Sequence, residues 1–151
     1  MTAAPSSPWP PIAELVPHRP PMLLLDRVVA HDAESVICEV RIAARSPFVE
    51  DGRIPAVVGI EYMAQCVAAF AGLAARAEGR PPRIGFLLGC RELRLCTDAF
   101  AVGDTLTVEA RRTWGDSALG HFICRVERDG ETLVSGTLNV YQGELPEDAA
   151  P

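Results

Sequence analysis

The sequence predicts an α+β fold in which one long helix lies against an antiparallel sheet, and three observations carry that expectation. From Val57 to Ala75 the only charged residue is Glu61, and six of those nineteen positions are alanine. A helix apolar nearly all the way round is one enclosed on most sides by the rest of its fold. The segments that follow are β-branched, apolar and alternating, with short polar links between them. One of those links is Asp129-Gly130, a pair that favours the positive φ angles of a type I′ turn and so joins two antiparallel strands directly.

Taken in order, Met1 to Pro11 is rich in Pro, Ser and Ala and reads as a disordered tail. It has neither a basic start nor an apolar core of the signal-peptide kind, so the cytoplasm is the expected compartment. Met22 to Val29 and Ser35 to Ala43 are rich in Leu, Val and Ile and read as two strands, with His31 to Glu34 as their hairpin connection. Pro55 and Gly79 supply the start and stop signals of the helix. Four strands are expected after it: Arg83 to Leu95, Thr105 to Trp114, Leu119 to Arg128 and Thr132 to Tyr141, with Gly115-Asp116-Ser117 as the link between the second and third. In the last of these, Val134, Gly136, Leu138 and Val140 alternate with Ser135, Thr137, Asn139 and Tyr141, the pattern of a half-buried strand. Glu144 to Pro151 is a polar tail, which leaves one domain over residues 12–143.

Composition narrows the function. With 151 residues and 48% hydrophobic side chains the chain can bury one sizeable core. A formal charge of −6 argues against non-specific nucleic-acid binding, which needs a basic surface. The apolar helix is as long as a membrane span, but Glu61 sits inside it, where an ionised carboxylate is costly in lipid, so a buried core helix is the expected reading. The five cysteines, Cys38, Cys66, Cys90, Cys96 and Cys124, are scattered and never spaced C-x-x-C, so neither a metal site nor a disulfide framework is expected.

Three motifs bring in a resemblance. Leu15-Val-Pro-His-Arg-Pro-Pro-Met-Leu-Leu-Leu-Asp-Arg-Val28 resembles the Leu-Pro-His-Arg, hydrophobic run and Asp-Arg-Val that open the β-hydroxyacyl-(acyl carrier protein) dehydratases. Ile60-Glu61-Tyr62-Met63-Ala64-Gln65 resembles that family's helix motif Ile-Glu-Ala-Met-Ala-Gln, and Gly103-Asp104 stands where its Pro-Gly-Asp precedes a long strand. The wording around Glu61 is most similar to the divergent branch found with aryl-polyene pigment pathways. The resemblance implies a hotdog fold, in which a curved antiparallel sheet wraps a central helix, and an assembly that is at least dimeric. It implies handling of 3-hydroxyacyl or enoyl thioesters carried on the phosphopantetheine arm of acyl carrier protein, with no metal or organic cofactor. It also exposes a departure. The family's catalytic histidine lies in a Gly-His-Phe-Pro-Gly loop before the helix, whereas the shorter loop Pro47 to Pro55 contains no histidine. The resemblance therefore points to a subunit working in a homodimer or, better, in a heterodimer with a histidine-bearing hotdog partner. An acyl thioesterase of the same fold and a non-catalytic stabilising subunit are the alternatives.

Among single residues, Glu61 is the first candidate for catalysis, because a carboxylate in an apolar helix must take up a proton or find a partner such as Arg19 or Arg27. Gln65, one turn later on the same face, is a candidate for fixing that carboxylate or a thioester carbonyl, or is a core amide satisfied by backbone. His18 is an auxiliary candidate, either a recruited base or part of the lead-in to the first strand. His31 and His121 read as solvated strand-end residues, and Cys66 lies off the Glu61 face. Gly89 matches the family's Phe-Ala-Gly beside the substrate tunnel, with a strand bulge as the plain alternative. The stripe Val57, Ile60, Ala64, Val67 and Ala71 reads as core rather than tunnel wall. Arg76, Arg80 and Arg83 cluster at the helix exit and are candidates for docking an acidic carrier protein.

Overall fold

A computed structural model describes residues 7–116 and 118–142. The eight strands run in the order β1 (Arg27–His31), β2 (Ser35–Arg41), β3 (Arg53–Pro55), β4 (Phe86–Leu95), β5 (Ala99–Ala101), β6 (Thr105–Gly115), β7 (Leu119–Arg128) and β8 (Glu131–Tyr141). One α-helix, α1 (Gly59–Ala77), separates β3 from β4. Six strands form one antiparallel sheet in the order β1-β2-β6-β7-β8-β4, and β3 pairs with β5 in a small separate ribbon.

The expected α+β architecture is present, and its local chemistry is visible at the joints. Asp129 (φ 51°) and Gly130 (φ 80°) both take the left-handed conformation of the type I′ turn between β7 and β8. After α1, Gly79 (φ 70°) lets the chain reverse. Its N–H reaches Arg76 O at 3.0 Å and the Arg80 N–H reaches Ala75 O at 2.8 Å, the paired bonds of a Schellman cap. At the other end the expected start moves. Pro55 opens a 3₁₀ turn over Ala56–Val58, and α-helical bonding begins only at Gly59.

The inner face of the sheet is built from every second residue: Val36, Cys38 and Val40 on β2, Leu106, Val108 and Ala110 on β6, Phe122, Cys124 and Val126 on β7. Against it α1 lays Met63, Cys66, Phe70 and Leu73, spaced by three or four residues on one face. Burial pushes the Cys66 thiol up, so it is a core thiol and not a nucleophile. Ala56–Ala77 is long and apolar enough to cross a membrane by length and composition, but here its apolar face is covered by β2, β6 and β7.

Three expectations are corrected. Met22 to Val29 is not one strand, since the strand begins at Arg27, and in the extended strap before it Met22 O and Leu24 N bond to Gln65 of α1, with Asp26 N already reaching Glu39 O of β2 at 2.9 Å. Of the tail expected over residues 1–11, residues 1–6 lie outside the described residues, and Trp9 is not free but packs edge-on against His31 with ring centroids 5.8 Å apart. His31 is itself held edge-on against Phe70 at 5.8 Å and its Nδ1 lies 3.0 Å from Ser35 O, so it is a packed ring and not a solvated one. The loop Pro47 to Pro55 contains β3, too short to leave a sequence signal. Ser117, in the link between β6 and β7, and the tail 144–151 lie outside the described residues.

The strap fixes the helix closely. Leu15 and Val16 are buried, and a Cβ built on Gly72 would stand 1.9 Å from Leu15 O, so the strap crosses α1 where only glycine admits it. Gly72→Ala is expected to push the strap outward, costing about 1–3 kcal/mol and lowering Tm by several degrees in a thermal melt. An unchanged melting temperature would show that the strap does not bear on the helix.

Candidate functional site

The first turn of α1 presents Glu61, and Gln65 follows four residues later on the same face. Gln65 is fully buried, yet every part of its amide is used. Its Oε1 accepts the Leu24 N–H at 2.9 Å, and its Nε2 donates to Met22 O at 2.7 Å and to Glu61 Oε1 at 2.9 Å. The backbone decides which way round the amide sits. An N–H at Leu24 requires an acceptor and a carbonyl at Met22 requires a donor, so Nε2 has one N–H left and Glu61 Oε1 must accept it. Two of the three readings weighed for Gln65 occur together: it is a core amide satisfied by backbone, and it fixes the Glu61 carboxyl. Buried and with both N–H groups engaged, it has none left for a thioester carbonyl, so the substrate-binding expectation is corrected.

His18 arrives from the strap on the other side. Its Nε2 stands 3.7 Å from the same Glu61 Oε1, with side-chain exposures of 29% for His18 and 37% for Glu61. The other ring nitrogen, Nδ1, is buried without a hydrogen-bond partner among the described residues. The strap is stiff here: Pro17, Pro20 and Pro21 flank it, and the Arg19 guanidinium bonds Val16 O at 3.0 Å and His18 O at 2.7 Å. Arg27 pairs with Glu39 at 3.3 Å. Neither arginine reaches Glu61 among the described residues, so the alternative of a buried ion pair with one of them is not what the structure shows. Glu61 is also not buried among core residues as its sequence context suggests. It opens into a groove.

That groove has a volume of about 700 Å³. His18 and Glu61 line one end, Ala64, Ala68 and Ala71 form its helix floor, and Phe86 and Phe122 stand among the strand residues that line it. Beyond the end of α1 it is lined by Arg80, Arg83 and Arg112. Glu61 and Ala75, at the two ends of the helix floor, are separated by about 21 Å at about 1.5 Å per helical residue. The apolar stripe read as plain core divides: Ala64, Val67 and Ala71 line the groove, while Val57 is exposed.

The structure thus brings together Glu61, Gln65 and His18, and separates the other candidates from them. Arg80 and Arg83 line the groove beyond the helix end, Arg80 paired with its neighbour Glu78. Arg76 points elsewhere, to Glu14 at 3.0 Å. Gly89 lies outside the groove lining, directly after a register shift between Leu87 and Gly89 in the pairing of β4 with β8, which is the bulge reading. Much of the groove lining escaped the sequence reading, its Arg112 and Asp116 among them. Arg112 and Asp116 come from the far end of β6 and the turn after it, and nothing in their spacing from α1 announces that they meet it. The backbone of Met22 and Leu24 was equally hidden, because a segment of Met and Leu carries the same apolar signal whether it pairs with a strand or with a glutamine.

Comparison with known proteins places this geometry. Residues 10–150 match the ApeP-like family, described as ApeP dehydratase. A chain from the solved dehydratase heterocomplex ApeI:P of Xenorhabdus doucetiae is 31% identical and superposes with a TM-score of 0.86, covering 90% of this chain and 93% of that one. The 3-hydroxyacyl-[acyl-carrier-protein] dehydratase FabZ of Chlamydia caviae is 30% identical over 135 residues, 85% of this chain and 86% of the relative. FabZ of Anaeromyxobacter dehalogenans is 32% identical over 109 residues, 68% of this chain and 69% of the relative. The fold is the hotdog, the chain is a dehydratase-like subunit of fatty-acid or polyene-type biosynthesis, and it belongs to the ApeP-like dehydratase family.

Proposed function

We propose that this chain supplies the acid half of a dehydratase site, acting in the cytoplasm on 3-hydroxyacyl thioesters carried by acyl carrier protein. The observation that carries the reading is Glu61 at the end of an apolar groove, with Oε1 bound by Gln65 and no hydrogen bond to Oε2 among the described residues. In the reaction a base removes the proton from C2, the released electron pair forms the C2=C3 double bond, and the C3–O bond breaks. The hydroxyl departs as water with a proton delivered by Glu61. No metal or organic cofactor enters these steps.

The base comes from a second hotdog subunit. His18 is poorly built for that task, since an imidazolium needs acceptors for both N–H groups and its Nδ1 has none among the described residues. A surface for the second subunit is available in β4, which ends the six-stranded sheet. Along it Phe86, Leu87, Leu88, Leu93 and Leu95 are all exposed, Leu88 by 61%. A ten-residue edge strand with five exposed apolar side chains is a template for pairing with another chain. The related ApeI:P is by its description a dehydratase heterocomplex, and a pairing of the same kind is proposed here.

The carrier protein docks at the arginine end. All 14 basic residues of Lys and Arg type are arginine, the side chain suited to bidentate phosphate and carboxylate contacts, and Arg80 and Arg83 bring two of them to the groove. Arg76, tied to Glu14, contributes less than the sequence suggests.

Two outcomes are expected. In the assembled complex, Glu61→Gln keeps the size of the side chain but has no carboxyl proton to give, so the dehydration rate should fall about 10²–10⁴-fold with Tm nearly unchanged. Unchanged activity would remove Glu61 from the chemistry, and hydrolysis of acyl thioesters by the chain alone would favour a thioesterase. The double variant Arg80→Glu with Arg83→Glu should raise KM for carrier-bound substrate roughly 10-fold at low salt, and should leave the rate on a small pantetheine thioester alone. An equal effect on both substrates would rule out a docking role.

A further inference from the structure

The contact between His18 and Glu61 lies within one chain. We propose that His18 is a positioning residue for Glu61: together with Gln65 it holds Oε1, so that Oε2 alone is presented to the leaving hydroxyl. The proposal rests on the dehydratase reading above and deepens it.

Three features carry it. The first is convergence on one oxygen, with Gln65 Nε2 at 2.9 Å and His18 Nε2 at 3.7 Å from the same Oε1. Because the Gln65 amide is oriented by Met22 and Leu24, Oε1 is an acceptor whatever the protonation of the carboxyl. Oε2, which accepts no hydrogen bond among the described residues, is the oxygen left free to carry and deliver a proton. The second is the tautomer of His18. With Nδ1 buried and unpartnered, a hydrogen there would be a stranded donor, whereas a hydrogen on Nε2 faces a carboxylate oxygen. The third is rigidity. The imidazole hangs from a proline-flanked strap that Arg19 braces through two carbonyls, so its position does not depend on Glu61. At 3.7 Å the contact is longer than a hydrogen bond and closes to one by a small movement of the Glu61 side chain, in keeping with catalytic contacts that tighten when substrate binds.

The test compares two substitutions in the assembled complex. His18→Phe keeps the ring volume and removes the Nε2–H, and since Nδ1 has no partner it strands no other buried group. His18→Gln returns an N–H close to where Nε2 stands. The His18→Phe complex is expected to assemble and melt near the wild-type temperature, with kcat lowered roughly 10- to 100-fold and KM unchanged. His18→Gln should recover most of that loss. A second readout needs no turnover: the side-chain amide protons of Gln65, followed by NMR, should shift in His18→Phe as Glu61 loosens and stay near their wild-type positions in His18→Gln.

Equal and complete loss in both variants would make His18 a proton carrier and overturn the positioning role. A fall in Tm with kcat preserved would reduce it to packing. If the wild-type complex fails to dehydrate 3-hydroxyacyl thioesters, the functional reading above falls, and the Gln65 signals then decide for His18 alone. Signals unmoved by His18→Phe would overturn the proposal.

Discussion

A glutamine with no solvent exposure and three hydrogen bonds is the joint on which the rest of this molecule turns. Gln65 lies on the buried side of α1, where an unsatisfied amide would cost roughly 1–3 kcal/mol for each stranded group. Its satisfaction comes from the strap, through Met22 O and Leu24 N. That pairing holds the strap off the sheet edge for several residues and carries His18 over the start of the helix. The one amide hydrogen left over then selects which oxygen of Glu61 is tied and which is free. Fold and site are thus linked through one side chain, and a change there acts on both.

How much of this was legible in the sequence depended on whether the signal was local. The Asp129-Gly130 turn and the Gly79 stop are dictated by backbone conformations that few residues accept, and both were readable. So was the long helix, whose apolar composition has no other soluble use. The strap was not readable, because Met22 to Leu25 has the composition of a strand and its true partner is forty residues away. The motif match directed attention to Glu61, Gln65 and His18 separately, but no spacing rule states that the three converge on one oxygen. The environment of Glu61 was misread for a similar reason: a carboxylate in an apolar helix looks buried until the alanines beside it are seen to line an open groove.

The groove also explains why the helix is so rich in alanine. Ala64, Ala68, Ala71 and Ala74 occupy one stripe, and larger side chains there would fill the channel between the helix and the strands. The groove runs from an acid–amide–imidazole cluster along an apolar helix floor to Arg80 and Arg83 beyond the helix end. Among the described residues Nδ1 of His18 has no partner, and β4 leaves an exposed apolar edge at the end of the sheet.

The most direct measurement is made on Gln65→Met, an apolar replacement of similar length, with Tm and dehydration rate determined on the same preparation of the complex. If Gln65 joins the strap to Glu61, the variant strands the Leu24 N–H and the Met22 carbonyl and releases the carboxyl, so Tm and the dehydration rate fall together, unlike in Glu61→Gln. A variant that loses stability but turns over at the wild-type rate, or one that keeps both, would contradict the account.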